Sequence, residues 1–362
     1  MPLQTSVSPR RMQARRLMHG LASPYFRYRH ANVIHAVRVA LGMATSFLVT
    51  TGINVPHGVW ASVSLLVVIG GLQHYGNIRK KAVERALGTA LGAGIGLFLI
   101  LVHALFGSLL LFFFLMSLFA GACAYYAIGK AGYVALLTAI TMVIVSGHGD
   151  LSFDVGLWRT ANVMIGIAIA LAFSFVLPQY ATYSWRYRLA DNLRECARLY
   201  GALLDGKPLL PEETTRRFLA MSQRLVQARG LMESVAKETH VPIARLEEIQ
   251  RLHRSILAAL EMLASSAVEN FGIDCTPREQ EARHKLLRMS RALRFGRVGL
   301  LHRSVDLTVF TPMPGEANER DLSTQGMHWL AMRFAEQVER LRLRLSEIER
   351  QWNIEGARPL ND

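Results

Sequence analysis

The sequence predicts an all-α membrane protein: a six-helix transmembrane bundle followed by a cytoplasmic helical domain. Three observations lead there. Residues 1–178 hold 16 charged side chains, about 9%, whereas residues 179–362 hold 52, about 28%; an average soluble protein carries roughly a quarter throughout. Four windows, 39–78, 86–129, 131–149 and 160–185, contain no Lys, Arg, Asp or Glu, and the first two are each long enough for two spans of about 20 residues. Basic residues collect in alternate loops, which is the signature of a fixed orientation in a membrane.

The elements follow in order. Residues 1–31 form a basic cytoplasmic segment with Arg10, Arg11, Arg15, Arg16, Arg27 and Arg29 and no acid; it lacks the apolar stretch of a signal peptide. Residues 32–178 are the membrane domain, with spans near 32–51, 58–75, 86–106, 109–128, 131–147 and 160–178. The long windows break at Thr51-Gly52-Ile53-Asn54-Val55-Pro56-His57-Gly58 and at Phe106-Gly107-Ser108, both rich in helix-interrupting residues. Arg79, Lys80, Lys81 and Arg85, then Lys130, then Arg186 and Arg188 mark the loops on the side of the N-terminus. The alternate loops carry no charge at 52–57, none at 103–108, and Asp150, Asp154 and Arg159 at 148–159. Both termini are therefore expected in the cytoplasm.

Residues 179–362 read as soluble helices. Leu189, Leu193, Cys196, Ala197, Tyr200 and Leu203 recur at helical spacing, and Pro211-Glu212-Glu213 opens a second helix. Further helices are expected over about 242–268, 277–301 and 322–352. The arginines 278, 283, 288, 291, 294 and 297 read as a solvated or headgroup-facing stripe. Shifting the sequence by 74 residues aligns Gly58 with Gly132, Ala61 with Ala135, Arg85 with Arg159 and Gly92 with Gly166. Spans one to three would then repeat in spans four to six with opposite topology, as in many transporters.

The chemistry-bearing patterns are few. Cys123, Cys196 and Cys275 are odd in number and unpaired in spacing, and no phosphate loop, metal-spaced His/Cys cluster or nucleophile elbow occurs. An enzyme, a metal site, a cofactor and nucleic-acid binding are not expected; membrane lipids explain the basic flanks. Gly88, Gly92 and Gly96 share one face of the third span, and Gly166 lies on the sixth. Small residues at this spacing serve close helix packing in lipid. Arg38 lies about two turns inside the first span, where it can snorkel to headgroups. Arg85 and Arg159 are placed just before their spans, where free helix N–H groups and the Thr89 hydroxyl would complete an anion site. Arg85, Arg159, Arg38 and Thr89 are thus the candidate substrate-binding residues. His35, His57, His74, His103 and His148 read as interfacial anchors.

His57-Gly58-Val59-Trp60-Ala61, followed by Arg79-Lys80-Lys81-Ala82-Val83-Glu84-Arg85-Ala86-Leu87-Gly88-Thr89-Ala90-Leu91-Gly92, resembles the signature of the fusaric acid resistance family. That family includes aromatic acid exporters, and plant aluminium-activated malate transporters share a similar pattern. The resemblance covers about residues 30–180. It implies an inner-membrane transporter subunit exporting aromatic carboxylates or related organic anions, with a periplasmic adaptor protein as partner. Several members carry two such membrane halves in one chain where this sequence has one, which implies a homo-oligomer. An anion channel and a membrane-anchored scaffold or sensor remain the alternatives.

Overall fold

The computed structural model describes residues 24–69, 75–129, 131–147, 152–176, 180–207, 210–269, 277–296, 299–302 and 319–352. Cys275, His74, His148, Lys130 and the arginines before residue 24 lie outside them. The chain divides into two units, Met1–Gln179 and Tyr180–Asp362.

In the first unit a short helix α1 (Pro24–Arg29) leads into α2 (Ala31–Gly52), α3 (Val59–Ile69), α4 (Tyr75–Phe106), α5 (Leu109–Ala127), α6 (Gly132–Ser146) and α7 (Phe153–Val176). The breaks fall where backbone chemistry demands them. Asn54 and His57 take left-handed conformations between α2 and α3. Gly107 does so after α4, and the Ser108 hydroxyl then accepts the Leu111 N–H at 3.3 Å to cap α5. Gly147, at φ 60°, ends α6.

Four segments have the length and apolarity to cross a membrane: Ala31–Gly52, Val83–Phe106, Leu109–Ala127 and Phe153–Phe175. Over the described residues the apolar helices α3 and α6 run for 11 and 15 residues, roughly 16 and 22 Å against a hydrocarbon core of about 30 Å. Two starts also differ from expectation. Helix α4 begins at Tyr75 rather than near 86, so the basic run 79–85 is helical. Helix α7 begins at Phe153 rather than near 160. Charge marks an aqueous boundary, but Lys, Arg, Glu and Ala are good helix formers, so the helices run through it.

Glycines decide how these helices pack. A Cβ at Gly88 would lie 2.8 Å from the Val134 carbonyl oxygen, one at Gly92 2.5 Å from that of Thr138, and one at Gly96 3.0 Å from that of Met142. Both series advance by four residues, so α4 and α6 run parallel at backbone contact. Helix α7 meets α3 in the same way, with a Cβ at Gly166 only 2.1 Å from the Ala61 carbonyl oxygen. Ser46 and Ser62 hydroxyls meet at 3.1 Å and join α2 to α3.

The second unit consists of α8 (Ala181–Leu204), α9 (Pro211–Thr239), α10 (Ile243–Glu269), α11 (Pro277–Phe295), α12 (Glu319–Glu347) and a one-turn α13 (Glu349–Trp352). Helix α8 is central, packing against α9, α10 and α11. Its core includes Trp185, Leu189, Leu193, Cys196 and Tyr200, joined by Phe334 and Trp352. The expected continuation of α11 to 301 stops at Gly296, whose φ of 63° suits a helix terminus.

Three charged positions here behave differently from a solvated surface. Arg186 is fully buried: its Nε donates to the Leu293 carbonyl at 3.1 Å, and its guanidinium lies over the Trp352 ring at 5.0 Å. Within the arginine stripe, Arg283 covers Gly201, where an added Cβ would sit 2.6 Å from its Nε. Arg294 reaches Asp191 at 4.0 Å. The α11 stripe is partly an interhelical seam to α8, because a long arginine stem covers apolar surface while its head finds a partner.

His253 is buried beneath a fixed hydrogen-bond chain. The Arg224 Nη1 donates to Asn192 Oδ1 at 2.8 Å, which turns the Asn192 amide nitrogen toward His253 Nε2 at 3.1 Å. That nitrogen must therefore be an acceptor, and burial pushes the imidazole pKa down to about 3. The unfolded chain takes up this proton near pH 6.5 and the folded chain only near pH 3, so stability falls as pH drops between them. The expected slope is about 1.4 kcal/mol per pH unit from pH 6 to pH 4. Thermal unfolding of the full chain across this range should show it, and His253→Asn should flatten it.

Candidate functional site

The sequence-selected residues separate into two clusters and one isolated group. Arg85 lies ten residues beyond the start of α4 and only 5% of it is exposed. Its guanidinium carbon sits 5.4 Å above the Tyr133 ring, and its Nε and Nη1 have no hydrogen-bond partner. Thr89, one turn further along α4, is also buried. Neither belongs to a helix first turn. The backbone N–H groups around them are engaged in the helix, so the expected contribution of free N–H groups at Arg85 and Thr89 does not exist.

Arg159 is likewise inside its helix, in the second turn of α7. Its Nη1 donates to the Ile144 carbonyl at 3.0 Å, and its guanidinium carbon lies 5.5 Å over the Trp60 ring. One turn on, the Asn162 amide nitrogen donates to the Pro56 carbonyl at 2.8 Å and to that of Trp158 at 2.9 Å, tying the loop before α3 to α7. Here too the free-N–H reading of Arg159 fails, for the same reason: the helix starts earlier than its charges indicate.

Tyr133 stands at the first turn of α6 and Ile144 near its last, roughly 17 Å apart along the axis. Arg85 and Arg159 therefore sit at opposite ends of the packed helices. Arg38 does not snorkel. It is 3% exposed, its Nη2 lies 2.9 Å from His35 Nδ1, and its Nε and Nη1 have no hydrogen-bond partner. Helix α2 packs against α3 and α7, and Arg38 lies on its buried face.

Gly88, Gly92, Gly96 and Gly166 all serve packing inside the unit rather than lining a groove. Tyr133 was not singled out by sequence reasoning. Its place one residue from the position that aligns with Trp60 at the 74-residue shift was the available signal. Among the described residues no group of three or more His, Cys, Asp or Glu is arranged to hold a metal ion.

The pattern of the fusaric acid resistance protein family matches residues 32–355. Inner membrane protein YeeA of Escherichia coli (strain K12) is 32% identical over 235 residues, which are 65% of this chain and 66% of that protein. Uncharacterized transporter YdhK of the same organism is 30% identical over 167 residues, 43% of this chain and 24% of that protein. The match thus spans just under two thirds of YeeA and about a quarter of YdhK. The family match extends past the membrane unit into the second helical unit and covers most of the sequence: the chain belongs to the fusaric acid resistance protein family.

Proposed function

We propose that this membrane protein is a transporter subunit that exports organic anions, aromatic carboxylates foremost, across an inner membrane. The observation that carries the reading is Arg85, a buried guanidinium with two nitrogens unsatisfied by the protein. Buried charge in a membrane segment is costly and is retained where it meets a pathway or a ligand. The described part of the membrane unit holds only two acids, Glu84 and Asp154, so an incoming carboxylate is the natural counter-ion for Arg38 and Arg85. The similarity to a protein named as a transporter supports the class, and the family supports a membrane rather than an enzymatic role.

The proposal includes six membrane segments with both termini cytoplasmic, two or more copies in the working unit and a periplasmic adaptor. The outward face of α4, with Ala86, Ala90 and Gly94 exposed and nothing within 4 Å of a Cβ at Gly94, suits contact with a second copy.

The decisive experiment is flux of radiolabelled benzoate from proteoliposomes, with and without a proton gradient. Saturable flux is expected. Non-saturating conductance points instead to a channel, and no anion flux under any gradient gives the scaffold reading precedence. Orientation has its own test: Asn54→Cys, on an exposed turn, should react with an impermeant maleimide only from the periplasmic side. Cys196 will not interfere, because burial and the neighbouring Glu195 charge push its thiol up to about 12. Labelling of Asn54→Cys from the cytoplasm would overturn the orientation.

A further inference from the structure

The two short apolar helices occupy corresponding positions in the 74-residue repeat, α3 in the first half and α6 in the second. Short segments at matching places in inverted halves are a general mark of a transport site. The packing repeats as well. Helix α3 lies against α7 as α6 lies against α4, α2 meets α3 as α5 meets α6, and α2 meets α7 as α5 meets α4. Each half therefore lends its short helix to the glycine-bearing helix of the other.

Each of these exchanged pairs carries the same side-chain arrangement. Trp60 and Tyr133 are the second residues of α3 and α6. Arg159 covers the first at 5.5 Å and Arg85 the second at 5.4 Å, and these two arginines align at the 74-residue shift. The partners share an unpaired Nε and differ at Nη1: that of Arg159 is held by the Ile144 carbonyl at 3.0 Å, whereas that of Arg85 has no acceptor.

We propose that the unit holds two equivalent carboxylate stations, one at each membrane face, and that Trp60 and Tyr133 are their positioning residues. Each ring lies within cation–π distance of its arginine, whose guanidinium edge can bond a carboxylate in bidentate fashion. At Arg85 both Nε and Nη1 lack a protein acceptor and can take an anion. At Arg159 a backbone carbonyl holds Nη1, and an arriving carboxylate must displace it to bind in bidentate fashion. Exchange of these two conditions between the halves is what an inverted repeat permits, since the same contacts are available to either half.

This inference rests on the organic-anion reading, and the test separates the two. Benzoate uptake is measured with right-side-out and inverted membrane vesicles carrying the full chain, so that each face is presented in turn. Tyr133→Leu should raise the half-saturating benzoate concentration about tenfold at the Arg85 face, the size of a lost desolvated cation–π contact, and leave the other face within about twofold. Trp60→Leu should do the reverse. Tyr133→Phe and Trp60→Phe keep a ring and should stay near wild type. A purely structural role would lower the maximal rate at both faces alike. Should the leucine variants fail to insert, Arg159→Gln gives the same reading, with its effect confined to the Trp60 face. Wild-type transport with shifts equal at both faces, or with none, overturns the paired stations and leaves the anion reading standing. No saturable benzoate uptake by the wild type overturns both.

Discussion

Gly92→Leu is expected to abolish the folded membrane unit. A Cβ at Gly92 would already lie 2.5 Å from the Thr138 carbonyl oxygen and 2.7 Å from the Thr141 Cβ. Neither neighbour is the end of a flexible side chain, so α4 and α6 must separate. Even Gly92→Ala should cost about 1–3 kcal/mol, the usual range for overpacking, and leucine adds three carbons to the same clash. Gly94 is two residues away on the outward face, where an added Cβ meets nothing within 4 Å. Gly94→Leu should keep the fold and weaken only association between copies. Yield of monodisperse protein and thermal midpoint in mild detergent distinguish the two. A Gly92→Leu protein with the wild-type midpoint would refute the backbone contact between α4 and α6.

Arg85→Gln is expected to reduce organic-anion flux by about 10- to 150-fold, equivalent to one charge-assisted hydrogen bond of roughly 1.5–3 kcal/mol. Glutamine keeps an amide donor but is shorter by two atoms and loses the charge that draws a carboxylate into a site of low dielectric. Arg85→Lys should be milder, because the charge survives while the planar fork that bonds a carboxylate in bidentate fashion does not. Insertion and assembly should persist, since Arg85 makes no hydrogen bond through Nε or Nη1 that the fold would lose. Flux is read in proteoliposomes at matched protein incorporation. Normal transport by Arg85→Gln would reduce Arg85 to an anchor at the membrane boundary.

The division into an apolar and a charged half was legible because lipid and water select composition residue by residue, over segments of twenty positions or more. The breaks at Asn54–His57 and at Gly107 were legible for a similar reason: left-handed backbone and helix caps are local chemistry. The starts of α4 and α7 were misplaced, because the sequence reports where charge meets water and not where the backbone hydrogen-bond ladder begins. Arg186 shows the same gap. Its charge fits a loop near a membrane, yet it is buried and closed by the Leu293 carbonyl, from a helix about a hundred residues later.

By itself, then, the sequence determined the membrane character, the helical class, the family signature and the choice of Arg85, Arg159 and the spaced glycines as the residues of interest. Tertiary structure alone decided what those residues touch. It assigned Gly88, Gly92 and Gly96 to α6 within the chain, buried Arg38 instead of letting it snorkel, and set Tyr133 and Trp60 beneath the two arginines. Lipid-facing and protein-facing positions of a membrane helix are equally apolar, so periodicity does not distinguish them. Which face meets which neighbour is fixed by the close fit of backbone against backbone, and that fit exists only once the helices are assembled.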